Sequence, residues 1–354
     1  MNETNPPNDD RLRPTHETTP KAVFETLSDE IKRVLVGNDE VIEQLTVSLL
    51  TRGHVLLEGV PGIAKTTIAN LFARATGLNY SRIQMTPDVL PADVTGTTVY
   101  RENRGEFELQ RGPIFANVVV ADEINRTTPK TQSALLEAMA ERQVTIENET
   151  HSLPTPFLLV ATQNPIEMEG VFALPEAQRD RFQFKLRMDL PDRSVERTML
   201  DRFDSMVTLG PDAIEPVVST SEILVARKHV RDVHVAPEVK EYVLDLVRGT
   251  RAHPTVEHGA SPRATLAFVD AARAWAAIEG RKYAIPDDVK RFAESILGHR
   301  LVLGPDADLG GVRSVDVVAD VVADIEPPGI DAIEYDAEAA HFESDGGRQP
   351  RDRR

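Results

Sequence analysis

Apolar residues along the first half of the chain recur at two periods. From Lys21 to Leu50 they fall at helical spacing: Val23, Leu27, Ile31 and Leu35, then Val41, Leu45 and Leu49. Val36-Gly37-Asn38-Asp39 separates the two predicted helices. Three short apolar runs, at 54–58, 118–121 and 157–161, read as strands buried on both faces. Segments 80–85 and 182–188 alternate instead, which predicts half-buried strands. Between them the pattern predicts a helix over 66–76 that closes at Gly77. It predicts another over 129–142, with Thr128 as N-cap and Pro129 at the first helical position. Strands alternating with helices imply an α/β fold, a mainly parallel sheet covered on both faces. Residues 86–112 read as a turn-rich, polar insertion outside the core, and Val144-Thr145-Ile146 is expected to form a hairpin turning at Asn148-Glu149.

Beyond residue 192 the strand pattern stops. Residues 193–303 read as consecutive helices, one starting at Ser261-Pro262-Arg263 and another at Pro286-Asp287-Asp288, and 315–325 suits an amphipathic helix. The expected organisation is a disordered tail (1–18), an α/β core (19–192), a small all-α domain (193–325) and an acidic, disordered tail (326–354). No internal repeat is visible.

Composition narrows the chemistry. With 354 residues, 41% of them hydrophobic, the chain is long enough for about two domains of about 150 residues. Cysteine is absent, which excludes disulfides, thiolate metal sites and cysteine nucleophiles, and the nine His show no ligand spacing. No apolar run approaches the ~18 residues of a membrane span, so no membrane insertion and a cytoplasmic location are expected. Lys and Arg number 40 against 57 Asp and Glu, a net charge of −17 without a basic stripe. That argues against stable nucleic-acid binding. Only nine of the 40 cations are Lys, and acid excess with scarce Lys points to adaptation to high intracellular salt.

Gly59-Val60-Pro61-Gly62-Ile63-Ala64-Lys65-Thr66, followed by Thr67, leaves an apolar strand and opens a helix. Such a loop cradles phosphates with backbone amides. Lys65 brings a point charge to the β/γ oxygens, and Thr66 can coordinate Mg²⁺. Ala64 stands where a second glycine is usual, and the turn is expected to hold with φ negative there. Val118-Val119-Val120-Ala121 then runs into Asp122-Glu123. Asp122 at the strand end suits the metal's water shell, and Glu123 suits polarising an attacking water, which favours hydrolysis over nucleotide storage. A third strand runs into Thr162-Gln163-Asn164-Pro165, where Asn164 can orient water or touch the γ-phosphate.

Together these segments resemble the MoxR family of AAA+ ATPases, in the clade with an insertion in helix 2. The resemblance rests on residues 59–66, Gly112-Pro113-Ile114-Phe115-Ala116-Asn117, Asp122-Glu123-Ile124-Asn125-Arg126 and the run from Pro129. Ala161-Thr162-Gln163-Asn164-Pro165 and Leu174-Pro175-Glu176-Ala177-Gln178 complete it. It implies an AAA+ P-loop core with a parallel five-stranded sheet, followed by a helical lid. It also implies ATP and Mg²⁺ as cofactors, and Asn164 as the sensor-1 residue. Arg181 matches the arginine finger that reaches a neighbour's ATP, with Arg179 close enough to be confused with it. Arg263 matches sensor 2, on a lid expected to fold over the nucleotide. Val36 and Gly37 lie in the segment the family places near adenine, where Asn38 replaces the usual Gln. The charge balance suits a halophilic archaeal source.

The resemblance implies a hydrolytic remodeller or maturation factor. It would act as a homo-oligomer, most commonly a hexamer, on client proteins or partners with von Willebrand A domains. A DNA-directed motor or loader of the same superfamily is the alternative, opposed by the net charge. A magnesium-chelatase motor subunit is close in architecture, but residues 122–142 match MoxR better.

Overall fold

The computed structural model describes residues 18–329, apart from 166–171 and 206–209. The expected N-terminal tail, but for residue 18, and all but the first residues of the C-terminal tail lie outside them. Helices α1 (Pro20–Lys32) and α2 (Asp39–Thr51) lead into β1 (Val55–Gly59), α3 (Lys65–Ala75) and β2 (Tyr80–Gln84). The insertion follows as α4 (Pro91–Thr95), β3 (Gly96–Arg101) and β4 (Glu106–Arg111), then β5 (Val118–Asp122) and α5 (Pro129–Glu141). Strands β6 (Gln143–Ile146), β7 (Glu149–Ser152) and β8 (Leu158–Gln163), the short α6 (Glu176–Arg179) and β9 (Phe184–Met188) complete the α/β part.

Five of these strands form one sheet in the order β2-β5-β8-β1-β9, with every pairing parallel. Its middle strands are buried on both faces, as their unbroken apolar runs require. Alternate residues divide between two cores. Val55, Leu57, Val118, Val120, Leu158 and Val160 pack toward α1, α2 and α3. Leu56, Val119, Ala121, Leu159 and Ala161 pack toward α5 through Leu135, Leu136 and Met139. Truncating any of the large ones to Ala would cost about 2–5 kcal/mol.

The remaining elements are α7 (Arg193–Ser205), α8 (Thr220–Asp232), α9 (Pro237–Ala252), β10 (Val256–His258), α10 (Pro262–Ile278), α11 (Pro286–Lys290) and α12 (Ala293–Leu297). They end with β11 (Val302–Leu303), α13 (Pro305–Gly310) and α14 (Ser314–Asp324). Helices α8 and α10 pack on α1 and α2 and extend the first core. Arg227 of α8 is buried and caps the C-terminal end of α2, donating twice to the Leu49 carbonyl at 2.8 and 2.6 Å. Arg291 forks onto Glu43 of α2 at 2.5 Å and lies 4.2 Å over the Trp275 ring.

Two details were not expected and one needs correction. The helical second region includes one short antiparallel pair, β10 and β11; strands of two or three residues carry too little alternation to show in a pattern. The insertion contains a hairpin, β3 and β4. Its base closes so tightly that a Cβ on Gly96 would lie 2.5 Å from the Gly112 nitrogen. The β6–β7 turn falls on Glu147-Asn148, one residue earlier than expected. Both have positive φ, 48° and 77°, the type I′ geometry whose twist matches the flanking strands.

Two histidines are sealed in the interior. His54 Nδ1 accepts from the Leu159 amide at 3.0 Å, so the proton sits on Nε2, which faces the Met139 carbonyl at 3.3 Å. Burial, with Arg142 nearby, pushes its pKa down to about 3. His299 is likewise driven well below the ordinary value by burial, then by adjacent Arg300. Both stay neutral in the fold while the unfolded chain takes up protons below about pH 6.5, so stability falls as pH falls. Each should cost roughly 2 kcal/mol between pH 7 and pH 5. Urea unfolding at both pH values in molar KCl, where acidic self-repulsion is screened, checks this; equal midpoints would contradict it.

Candidate functional site

The sheet register builds the site. Strands β5, β8 and β1 are neighbours, with Ala121 opposite Ala161 and Leu57 opposite Thr162. The phosphate-type loop after β1, the carboxylates ending β5 and Asn164 after β8 therefore emerge side by side at the C-terminal edge, where open parallel sheets bind ligands. Pro61, Gly62, Ala64, Lys65, Thr66, Thr67, Asp122, Glu123, Thr162 and Asn164 line one cleft there.

Gly59 admits no side chain, since a Cβ would lie 2.5 Å from the Met188 carbonyl of β9. Gly62 has φ 86°. Ala64 overturns the expectation of a negative φ: it stands at φ 69°, ψ 21°, immediately before α3. The left-handed conformation costs an L-residue roughly 1–2 kcal/mol, and Ala is small enough to accept it. Ala64→Gly should relieve that strain, less about 0.4–1 kcal/mol for the freer unfolded chain. A net gain of up to about 1.6 kcal/mol is expected in urea unfolding, and a loss would count against the strain.

Lys65 Nζ donates to the Gly59 and Val60 carbonyls at 2.5 and 2.8 Å and to Asn164 Oδ1 at 3.0 Å. Burial lowers its pKa, while Asp122 and Glu123 pull the other way. Asp122 accepts from Thr162 Oγ1 at 2.6 Å, Thr66 Oγ1 at 3.0 Å and Arg82 Nη2 at 2.5 Å. Burial pushes its carboxyl up, but the bonds from Thr162, Arg82 and Thr66 outweigh it and hold the group below the usual range. Thr66 and Asp122 thus offer two hard oxygens on one spot, which suits a divalent cation.

Glu123 turns off the strand at φ 57°, its amide donating to Thr162 Oγ1 at 2.9 Å. Asn164 Nδ2 reaches its Oε1 at 3.0 Å, and Arg126 Nη1 its Oε2 at 2.8 Å. Its carboxylate is therefore aimed into the cleft while remaining partly accessible to water. In the sequence Thr162 and Arg126 stand inside recognisable motifs without a role of their own, and Arg82 leaves no signal.

Beside this cleft lies an apolar pocket of about 560 Å³, lined by Val36, Gly37, Ile63, Thr67, Leu71, Leu190 and Met199 among others. Val36 and Gly37 therefore adjoin the phosphate-type loop. Helix α7 forms the facing wall, which the sequence did not indicate. Arg202 staples that helix to the end of α1, donating to the Lys32 and Leu35 carbonyls at 2.7 and 3.1 Å.

Arg181 and Arg263 are brought together, but not here. They line a separate cavity with Arg52, Arg142, Asp180 and Arg300, which shares no residue with the cleft around Lys65. Arg263, expected as sensor 2 on the lid, thus lies on this second cavity. Ser261, the N-cap of α10, donates to both Asp180 oxygens at 3.0 and 2.9 Å, holding the start of that helix against the Arg181 segment.

Residues 54–184 match the model of the ATPase family associated with various cellular activities (AAA), and 248–321 match the AAA lid domain. The chain is 43% identical to the uncharacterised protein YeaC of Bacillus subtilis over 85% of this chain and 93% of that one. It is 43% identical to the chaperone MoxR1 of Mycobacterium tuberculosis over 89% of this chain and 84% of that one. A crystal structure from Cytophaga hutchinsonii, carrying the provisional description ATPase, superposes with a TM-score of 0.81 at 36% identity, covering 88% of this chain and 96% of that one.

Proposed function

The chain belongs to the MoxR family of AAA+ ATPases, and from that membership we propose that it hydrolyses ATP with Mg²⁺ and uses the turnover to remodel or mature partner proteins. The observation that carries the reading is Glu123, held between Asn164 and Arg126 at 3.0 and 2.8 Å at the rim of the cleft that contains Lys65. A carboxylate so placed can align a water and accept its proton as it attacks the γ-phosphorus. Backbone amides from Gly62 to Thr66 and the Lys65 ammonium neutralise the phosphate oxygens. Thr66 and Asp122 would hold Mg²⁺, which characteristically takes one or two protein oxygens and leaves the rest to phosphates and water. Bound there, the ion would neutralise developing charge. Val36 and Gly37, with the α7 wall, would enclose the base.

Arg181 and Arg263, on a cavity away from this cleft, are read as serving a neighbouring subunit's ATP, so the active species is a ring, most simply a hexamer. The name chaperone carried by the mycobacterial relative supports action on client proteins. A partner with a von Willebrand A domain is the expectation carried by the family. Phosphate release measured with Mg²⁺ and again with excess chelator tests the core of this reading: turnover should appear only with the metal, and metal-independent turnover would refute it.

The net charge of −17 with nine Lys supports a high-salt setting. The Debye length grows from ~3 Å at 1 M to ~10 Å at 0.1 M salt, so self-repulsion should destabilise the protein as salt falls. A melting temperature that stays flat between 0.1 M and molar KCl would count against this.

A further inference from the structure

The Arg300 guanidinium is enclosed, its side chain 2% exposed. It lies just after α12, and all its bonds but one go to a single four-residue stretch of the α/β part. Nε donates to Asp180 Oδ1 at 2.9 Å. Nη2 reaches the Phe182 carbonyl at 2.7 Å and the Asp180 carbonyl at 3.3 Å. Nη1 reaches the Gln183 carbonyl at 3.3 Å and, within its own segment, the Ile296 carbonyl. The stretch so gripped contains Arg181. Burial works against the charge of Arg300, and the Asp180 carboxylate works in its favour.

Asp180 is the second half of the device. The carboxylate that pairs with Arg300 also accepts both bonds from Ser261 and lies 3.6 Å from Arg263 Nη1. One half-buried acid therefore touches the residue that caps α10, the arginine two positions on, and the arginine that anchors Arg181's backbone. Arg181 is fixed from its other side too, donating to the Leu136 carbonyl of α5 at 2.6 Å.

We propose that Arg300 and Asp180 form a clasp that positions Arg181 and Arg263 together, so that the lid and the core present both arginines to a neighbouring subunit as one unit. Neither clasp residue touches nucleotide; both are positioning residues. The proposal rests on the reading of Arg181 as a residue acting in trans. Its physical basis is geometric: a planar fork satisfied on three edges fixes the backbone on either side of Arg181, and catalytic arginines tolerate little displacement. A misplacement of about 1 Å can cost about 10²-fold in rate.

The test is Arg300→Met in the full chain. ATP affinity, read by fluorescent-nucleotide titration, should stay within about twofold and oligomer size should be unchanged, because the variant's own phosphate loop is untouched. The turnover number should fall by about 10- to 100-fold. Mixing the variant with Lys65→Ala subunits, which keep an intact clasp but cannot use ATP, should restore part of the rate. Arg300→Lys should resemble Arg300→Met, since one ammonium cannot span the same acceptors. If Arg300→Met does not fold, Asp180→Asn, which keeps the shape and removes the shared charge, should show the same loss and the same rescue. The Arg181→Ala and Lys65→Ala mixture runs alongside. Rescue there without rescue of the clasp variant overturns the clasp alone; failure of both mixtures overturns the trans reading and the clasp with it. Full turnover in Arg300→Lys, or a loss of ATP affinity matching the loss of rate, also overturns the clasp.

Discussion

Lys65→Ala should abolish ATP turnover by weakening nucleotide binding, whereas Glu123→Gln should bind ATP normally and fail to hydrolyse it. The two side chains sit in one cleft but face different tasks. Lys65 Nζ lies against the loop carbonyls of Gly59 and Val60, in the cleft that the loop lines. Charge-assisted bonds contribute about 1.5–3 kcal/mol each, so losing the ammonium should weaken ATP binding by about 10²-fold. Glu123 meets Asn164 and Arg126 through its carboxylate oxygens, and a Gln amide retains the shape while losing the capacity to take a proton. General-base loss costs about 10²–10⁴ in turnover. Nucleotide titration and single-turnover phosphate release separate the two effects. Equal loss of ATP affinity in both variants would falsify the division of roles.

Arg181→Ala should bind ATP within about twofold of the parent and lose turnover by about 10³-fold, the lower end of what a trans arginine contributes to phosphoryl transfer. The residue lines a cavity with Arg263 and Arg300, apart from the cleft that holds Lys65 and Glu123, which is the placement a residue serving another subunit's site would have. Mixing Arg181→Ala with Lys65→Ala should create interfaces where an intact ATP site meets an intact arginine, and activity should return in proportion to their number. Arg179→Ala is the control, expected to lose far less. A monomer that hydrolyses at full rate, or mixed rings without rescue, would remove Arg181 from this role.

Most of the fold was legible because its signals are local. Central strands buried on both faces leave unbroken apolar runs, as in Val118–Asp122 and Leu158–Gln163, and α1 and α2 leave a helical stripe. The cleft was legible for the same reason. A strand followed by a glycine-rich turn and Lys-Thr, and a strand ending in Asp-Glu, each encode their chemistry within a few residues. Parallel neighbours then bring Asp122 and Asn164 to the same edge without further instruction.

What remained hidden depends on partners far apart in sequence or on single backbone angles. Thr162 joins Asp122 from 40 positions away, and Arg300 reaches Asp180 across 120; no periodicity records such pairs. Arg263 stands beside Arg300 and Arg181 because Ser261 and Arg300 both bind Asp180, a tertiary outcome that helix-start signals at 261–263 do not carry. The φ of Ala64 and the register of the Glu147-Asn148 turn were set by the elements on either side, since a tight connection must take whatever dihedrals close the gap. The sequence by itself determined which residues line the phosphate-type cleft, because they stand in contiguous motifs. The tertiary structure decided which arginines share a face, because only packing brings distant guanidinium groups onto one carboxylate.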